Sequence, residues 1–183
     1  MSLSTATGSH VLVLDTMCLS QFARTDRLDV LGDLLLGWDC WTTRVVSDEL
    51  RHGGAQYPEL DAISDLDWLA ITPFDTDEEI LALLKWSSLV GAGDRDQGEA
   101  SVFALAELRS GVALTDDRRA KQVAREHGIE VHGTVWLLAM ACRGGKLTEV
   151  NAGSLIDGFL SLEARLPCTG AGFSRYARSH GLL

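Results

Sequence analysis

A chain of 183 residues, 46% apolar and 23% charged, has the size and composition of one globular domain with a sizeable core. Its formal net charge of −10 excludes a binder that holds nucleic acid by general charge alone. An enzyme that grips nucleic acid locally stays open, because bound divalent cations would neutralise part of that charge.

No apolar run reaches the length needed to span a bilayer. The opening MSLSTATGSH has no basic region followed by an apolar block, so residues 1–9 are expected to be a short disordered lead-in rather than a signal peptide. Residues 10–183 then read as one domain. The four cysteines, Cys18, Cys40, Cys142 and Cys168, show no metal-type spacing. They suit reduced, mostly buried thiols in a cytoplasmic protein.

His10 to Asp15 is a nearly unbroken apolar run that ends on an acid, the pattern of a parallel strand buried on both faces. A helix follows from Met17 to about Arg24. A second, about Leu28 to Leu36, carries leucines at helical spacing and stops at Gly37. Asp39 to Thr42 reads as a short strand. Arg44 to His52 reads as a helix closed by Gly53-Gly54, with Asp48 and Glu49 near its middle. Ala55 to Ser64 suggests a loop and a short helix. Leu66 to Thr72, stopped by Pro73, reads as an edge strand.

Thr76 and Glu79 form a capping-box signature for a helix that runs to about Val90, where Gly91-Ala92-Gly93 breaks it. The next helix, about Gln97 to Ser110, opens on a carboxylate cluster of Asp94, Asp96 and Glu99. The strand Gly111 to Thr115 ends on Asp116 and Asp117. A helix to His127, a short strand from Ile129 to His132 and a helix from Gly133-Thr134 to Cys142 complete the series. Two more helices are expected at Asn151 to Ala164 and Gly172 to His180.

Strands alternating with helices predict an α/β fold with a mainly parallel sheet and helices on both faces. If the first strand lies beside the fourth, Asp15 and Asp116 end adjacent strands at one crevice, the usual ligand position in open sheets. Asp15, Glu49, Glu99 and Asp116 stand out, with Asp96 and Asp117 in reserve. Grouped carboxylates repel unless something positive sits between them. Hard oxygen donors suit Mg²⁺ or Mn²⁺, and such a site can drive metal-assisted phosphodiester hydrolysis. Each acid alone would more often be a helix cap; Asp117 could simply cap the helix beginning at Arg118. Four such coincidences together are the harder reading.

The segments VLVLDTMCLSQFA, SDEL, DQGEASVFALA and GVALTDDRRAKQVAREHGIEVHGTVWLLA together resemble the PIN-domain family. The similarity is nearest to a branch with a Gly-Glu-Ala third motif, and GFSRYARSHGLL resembles that branch's tail. The resemblance implies a three-layer α/β/α fold with a five-stranded sheet in the order 3-2-1-4-5. It also implies Mg²⁺- or Mn²⁺-dependent ribonuclease activity, with the metal-ligand role on Asp15, Glu49, Glu99 and Asp116. Thr16 and Thr115 fall where a supporting hydroxyl is expected. Cys18 and the crowding by Asp94, Asp96 and Asp117 depart from the usual pattern and leave the third and fourth ligands open to one alternative each. Many members are toxins of toxin–antitoxin pairs and many form dimers, so an antitoxin protein and a second copy join RNA among the expected partners.

Arg118, Lys121 and Arg125 share one helix face after the fourth acid, where RNA phosphate contact and a plain solvated face weigh about equally. Two rivals stay on the table. A non-catalytic module could receive a partner protein or nucleic acid in the acidic pocket. A metal-dependent phosphatase of the aspartate-nucleophile kind would want Asp-x-Asp after the first strand, which Asp15-Thr16-Met17 does not supply.

Overall fold

The structure, a computed structural model, describes residues 10–91 and 96–183. The expected lead-in and Asp94 lie outside them.

In chain order the elements are β1 (His10–Leu14), α1 (Thr16–Arg24), α2 (Leu28–Leu34), β2 (Trp38–Thr43) and α3 (Arg44–Gly54). A 3-10 helix (Pro58–Asp65), β3 (Leu69–Thr72), α4 (Asp77–Val90), α5 (Gln97–Arg109) and β4 (Val112–Leu114) follow. The series ends with α6 (Arg118–Glu126), β5 (Val131–His132), α7 (Thr134–Arg143), α8 (Glu149–Ser161) and α9 (Phe173–Ser179). The sheet has five strands in the order β3-β2-β1-β4-β5. Every pairing is parallel, and helices cover both sides. β3 is an edge strand, as its stop at proline predicts.

β1 takes the centre because Leu12, Val13 and Leu14 all bury completely, which only a strand covered on both faces can do. Its register against β4 pairs Leu14 with Leu114, so Asp15 and Thr115 leave the sheet side by side. α5 is buried from Ala100 to Ala106, the mark of a helix apolar all round. Its first turn, which carries Glu99, is thereby anchored against the inner strands β2, β1 and β4.

Several boundaries differ from the sequence reading by one to three residues, β3 among them, which opens at Leu69 and not at Leu66; three of the differences have a local cause. α3 continues through Gly53 and Gly54. These glycines are the last two residues of the helix, and they also admit the 3-10 helix. A Cβ on Gly53 would lie 2.9 Å from Leu60 Cδ1, and one on Gly54 would lie 2.6 Å from Asp61 Oδ1. α2 stops at Leu34, and the chain turns through Gly37 at φ +96°. α8 starts at Glu149, ahead of the expected Asn151, because the Thr148 side chain accepts from the Asn151 N–H at 3.1 Å. The capping box of α4 is present as expected.

Candidate active site

The site lies where β1 and β4 end. The Asp15 N–H donates to the Leu114 carbonyl at 3.1 Å, which stitches the two strand ends together. The Asp15 side chain is 1% exposed, and its Oδ2 accepts from the Thr115 hydroxyl at 2.9 Å. Burial pushes its carboxyl up to about 6, against the pull of that hydrogen bond; the Glu49 charge raises it further.

Glu49 reaches in from α3. Its Oε2 accepts from the Thr16 hydroxyl at 2.5 Å. The carboxylate rests on the Gly98 backbone at the start of α5: a Cβ on Gly98 would stand 2.6 Å from Oε2. Burial raises Glu49 above the ordinary range, while Thr16 and the Gly98 N–H hold it down. Both sequence-predicted hydroxyls, Thr16 and Thr115, thus bear on a site carboxylate.

Glu99 shows how closely the acids gather. Its carboxyl is pushed up to about 8, first by burial and then by the charges of Asp15, Asp117 and Glu49. Elements far apart in sequence, β1, α3, α5 and the β4–α6 turn, supply these acids.

The two aspartates after β4 have different situations. Asp116 turns toward α7. Its Oδ1 accepts from the Thr134 N–H at 2.8 Å, and its Oδ2 accepts from the Thr134 hydroxyl at 2.6 Å and from Gln21 Nε2 at 3.2 Å. Asp117 is exposed and caps α6, its Oδ1 accepting from the Ala120 N–H at 2.6 Å. Its own N–H donates to Thr115 Oγ1 at 3.2 Å. Asp117 is also the one of the pair named above that raises Glu99.

The reserve residue Asp96 points elsewhere. Its Oδ2 lies over Gly91, 2.7 Å from where a Cβ would be, on the side of Arg119. Of the basic residues, Arg125 donates to the Val131 carbonyl at 3.0 Å, and Lys121 is half-buried beside Gly133 and Asp116. Burial lowers the Lys121 ammonium, opposed by the Asp116 charge. Arg118 is exposed next to Asp117.

Among the described residues, no three His, Cys, Asp or Glu side chains stand as a ready-made metal shell. The donor chemistry nevertheless fits a hard divalent cation: all-oxygen, with Asp15 fully buried and facing like charges that a cation would relieve. Asp15, Glu49, Glu99 and Asp117 are the side chains that could hold one.

A family model described as PIN domain matches residues 11–167. The chain belongs to the PIN-domain family. PIN domains are generally nucleases that use divalent metals. No curated protein matches the chain. Among solved structures, VapBC2 from Rickettsia felis, bound to a DNA fragment from their promoter, is similar at 14% identity with a TM-score of 0.48. That match covers 67% of this chain and 98% of the other.

Sequence reasoning did not single out Gln21 or Gly98 in this PIN domain. Gln21 is one amide in a helix and gains meaning only once the fold sets α1 against the β4 end. Gly98 sat within the Gly-Glu-Ala motif, but its contact with Glu49 joins residues 49 positions apart. Thr134 stood in the Gly-Thr of the last motif block, without a role.

Proposed function

We propose that this PIN domain is a Mg²⁺- or Mn²⁺-dependent endoribonuclease that hydrolyses RNA phosphodiester bonds. One observation carries the reading: Asp15, Glu49, Glu99 and Asp117 come from separate elements to the strand ends, where the charges of Asp15, Asp117 and Glu49 raise Glu99 and that of Glu49 raises Asp15. Such crowding costs stability and suits a cation site.

A bound divalent ion would act there as a Lewis acid for phosphodiester charge and would ease deprotonation of an attacking water. In this reading Asp15 is the fixed ligand, oriented by Thr115. Glu49, clamped between Thr16 and Gly98, and Asp117, at the exposed rim, complete the oxygen set. Glu99, whose carboxylate a bound cation would return to the ionised form, is placed to take a proton from the attacking water. Asp116 positions the β4–α6 turn. Arg118, exposed beside Asp117, meets a backbone phosphate.

The test is cleavage of a mixed end-labelled RNA pool with EDTA, Mg²⁺ or Mn²⁺, with wild type against Asp15→Asn. Products that require metal and vanish in the variant are expected. Equal cleavage by Asp15→Asn would refute the reading. Folded wild type that cleaves nothing in the pool would favour the non-catalytic module.

A further inference from the structure

At the β5 edge of the sheet two rings lie flat against each other. His132 ends β5, and Trp136 sits in the first turn of α7. Their ring centroids are 4.0 Å apart and their planes differ by 5°. Trp38, the first residue of β2, meets Trp136 nearly at right angles, with centroids 6.3 Å apart. His10, exposed at the start of β1, lies 5.5 Å from Trp38. The rings that fill the core, Trp86, Phe22, Phe103, Phe159 and Phe173, are fully buried. His132, Trp136 and Trp38 each keep part of their surface in solvent. A flat, partly exposed ring pair is a platform for a nucleobase, since every base has a π-face.

We propose that His132 and Trp136 form a stacking subsite for one unpaired base of the RNA, beside the bond that is cut. This rests on the endoribonuclease reading and adds a place for the substrate. Position supports it. Leu14, Leu114 and His132 stand in one row across β1, β4 and β5. His132 is thus two strand spacings, roughly 10 Å, from the residue before Asp15. The Thr115 N–H donates to the His132 carbonyl at 3.0 Å. Gly133, the next residue, lies against Asp116, and Lys121 Nζ is 3.1 Å from where its Cβ would be. An ammonium therefore stands beside the segment that joins the carboxylates to the stack, where the phosphate linking two nucleotides would pass.

His132 offers the open layer. One face of its ring lies on Trp136, and its tie to Glu130, Nε2 to Oε1 at 3.1 Å, is at the ring's rim. Among the described residues no other ring lies against it, and its side chain is 27% exposed. A base would add a third layer. Trp38 wedges Trp136, so the platform is built before the base arrives. Glu130 would repel a phosphate at the rim, so the ring meets a base and not the backbone.

The test uses a labelled, unstructured RNA of about 12 nucleotides, within the span of single-strand sites. Binding is read by fluorescence anisotropy in EDTA, and cleavage with Mn²⁺ gives kcat and KM. The proteins are wild type, His132→Ala, His132→Phe and the control His180→Ala, whose ring stacks on Tyr176 at the end of α9. Thermal melts establish that each is folded. His132→Ala is expected to bind at least about ten-fold more weakly, the effect of one stacked base, and to raise KM with little change in kcat. His132→Phe and His180→Ala are expected to match wild type. Removing the RNA base at one position beside the cut should raise the wild-type KM by a similar factor and that of His132→Ala no further.

Wild-type binding and KM in His132→Ala overturn the proposal; metal-dependent cleavage would then leave the endoribonuclease reading standing. So does a loss in His132→Phe as large as in His132→Ala, which would make the contact an imidazole hydrogen bond, or cleavage insensitive to base removal at every position. RNA that wild type neither binds nor cleaves overturns both readings. Ring-dependent binding without cleavage upholds the stack as a base-binding surface and refutes the endoribonuclease reading.

Discussion

Asp116 and Thr134 are joined twice, Oδ1 to the backbone N–H at 2.8 Å and Oδ2 to the hydroxyl at 2.6 Å. This pair ties the end of β4 to the start of α7, and Gln21 of α1 adds a third donor. In the proposed reading a carboxylate with three donors belongs to the frame. Asp116→Ala leaves the Thr134 N–H and the Gln21 amide without their acceptor. The expected cost is about 3 kcal/mol, from charge-assisted bonds lost at a partly buried site. Asp117→Asn is expected to leave the melting temperature nearly unchanged while cleavage falls by at least about 100-fold, the size of effect when charge-stabilising groups are removed. Denaturant melts and RNA cleavage on both variants check the division.

Thr115 links the two strand ends chemically. Its hydroxyl donates to Asp15 Oδ2 and its oxygen accepts from the Asp117 N–H. Thr115→Val keeps the shape and removes both bonds. Asp15 then loses a group that lowers its pKa, and Asp117 loses its tether. The variant is expected to bind Mn²⁺ about 10- to 100-fold more weakly, as for lost support of a metal ligand. Calorimetric titration with Mn²⁺ measures this; wild-type affinity in Thr115→Val would sink the positioning role.

The metal-free protein should lose stability as pH rises. Burial holds the folded pKa of Asp15 at about 6 against an ordinary 3.8, and burial with neighbouring charge holds Glu99 at about 8 against 4.5. Folded chains therefore keep protons that unfolded chains have released. The resulting stability is complete below about pH 4 and is lost as pH rises through about 6 and then about 8. In EDTA the melting temperature should fall across that window. Excess Mn²⁺ at pH 8 should restore it, since a cation does what the protons did. Glu99→Gln should flatten the upper part of the fall. A flat EDTA profile from pH 5 to 8.5 would contradict the crowding.

Gly98→Ala separates helix preference from site geometry. Alanine is favoured over glycine by roughly 1 kcal/mol in a helix interior, and by less at Gly98, the second residue of α5. Here the added methyl would stand 2.6 Å from Glu49 Oε2. That oxygen ends a flexible side chain, so Glu49 can move aside and the fold survives. The expected outcome is a melting temperature equal to or above wild type with cleavage reduced at least about ten-fold, a barrier change of about 1.4 kcal/mol. Full activity in Gly98→Ala would remove Glu49 from the site.

Much of this was legible from the chain itself. The apolar run to Asp15 and the strand before Asp116 state a central parallel pair, and the resemblance to PIN domains supplied the strand order that the structure has. Asp15, Glu49 and Glu99 were named from their places at a strand end, on a helix and at a helix start. Which of Asp116 and Asp117 turns toward α7 was not legible. Adjacent aspartates leave one strand end in different directions, and which one meets α7 depends on where Thr134 lands in space. Lys121 and Arg125 shared a helix face with Arg118 by spacing, but the face packs partly against β5 and its following turn, so it is not wholly open to a substrate. Gly53-Gly54 read as a stop signal, and α3 does end on them; their second role, room for the 3-10 helix that passes against them, is one local rules cannot see.

The most direct test of the account is Mn²⁺ binding by calorimetry at neutral pH to four folded proteins: wild type, Asp15→Asn, Asp117→Asn and Asp116→Asn. The account predicts saturable binding to wild type, binding at least about ten-fold weaker, or 1.4 kcal/mol, in Asp15→Asn and Asp117→Asn, and affinity near wild type in Asp116→Asn. Wild-type affinity in Asp117→Asn with binding lost in Asp116→Asn would reverse the assignment, and no binding to folded wild type would contradict the metal site itself.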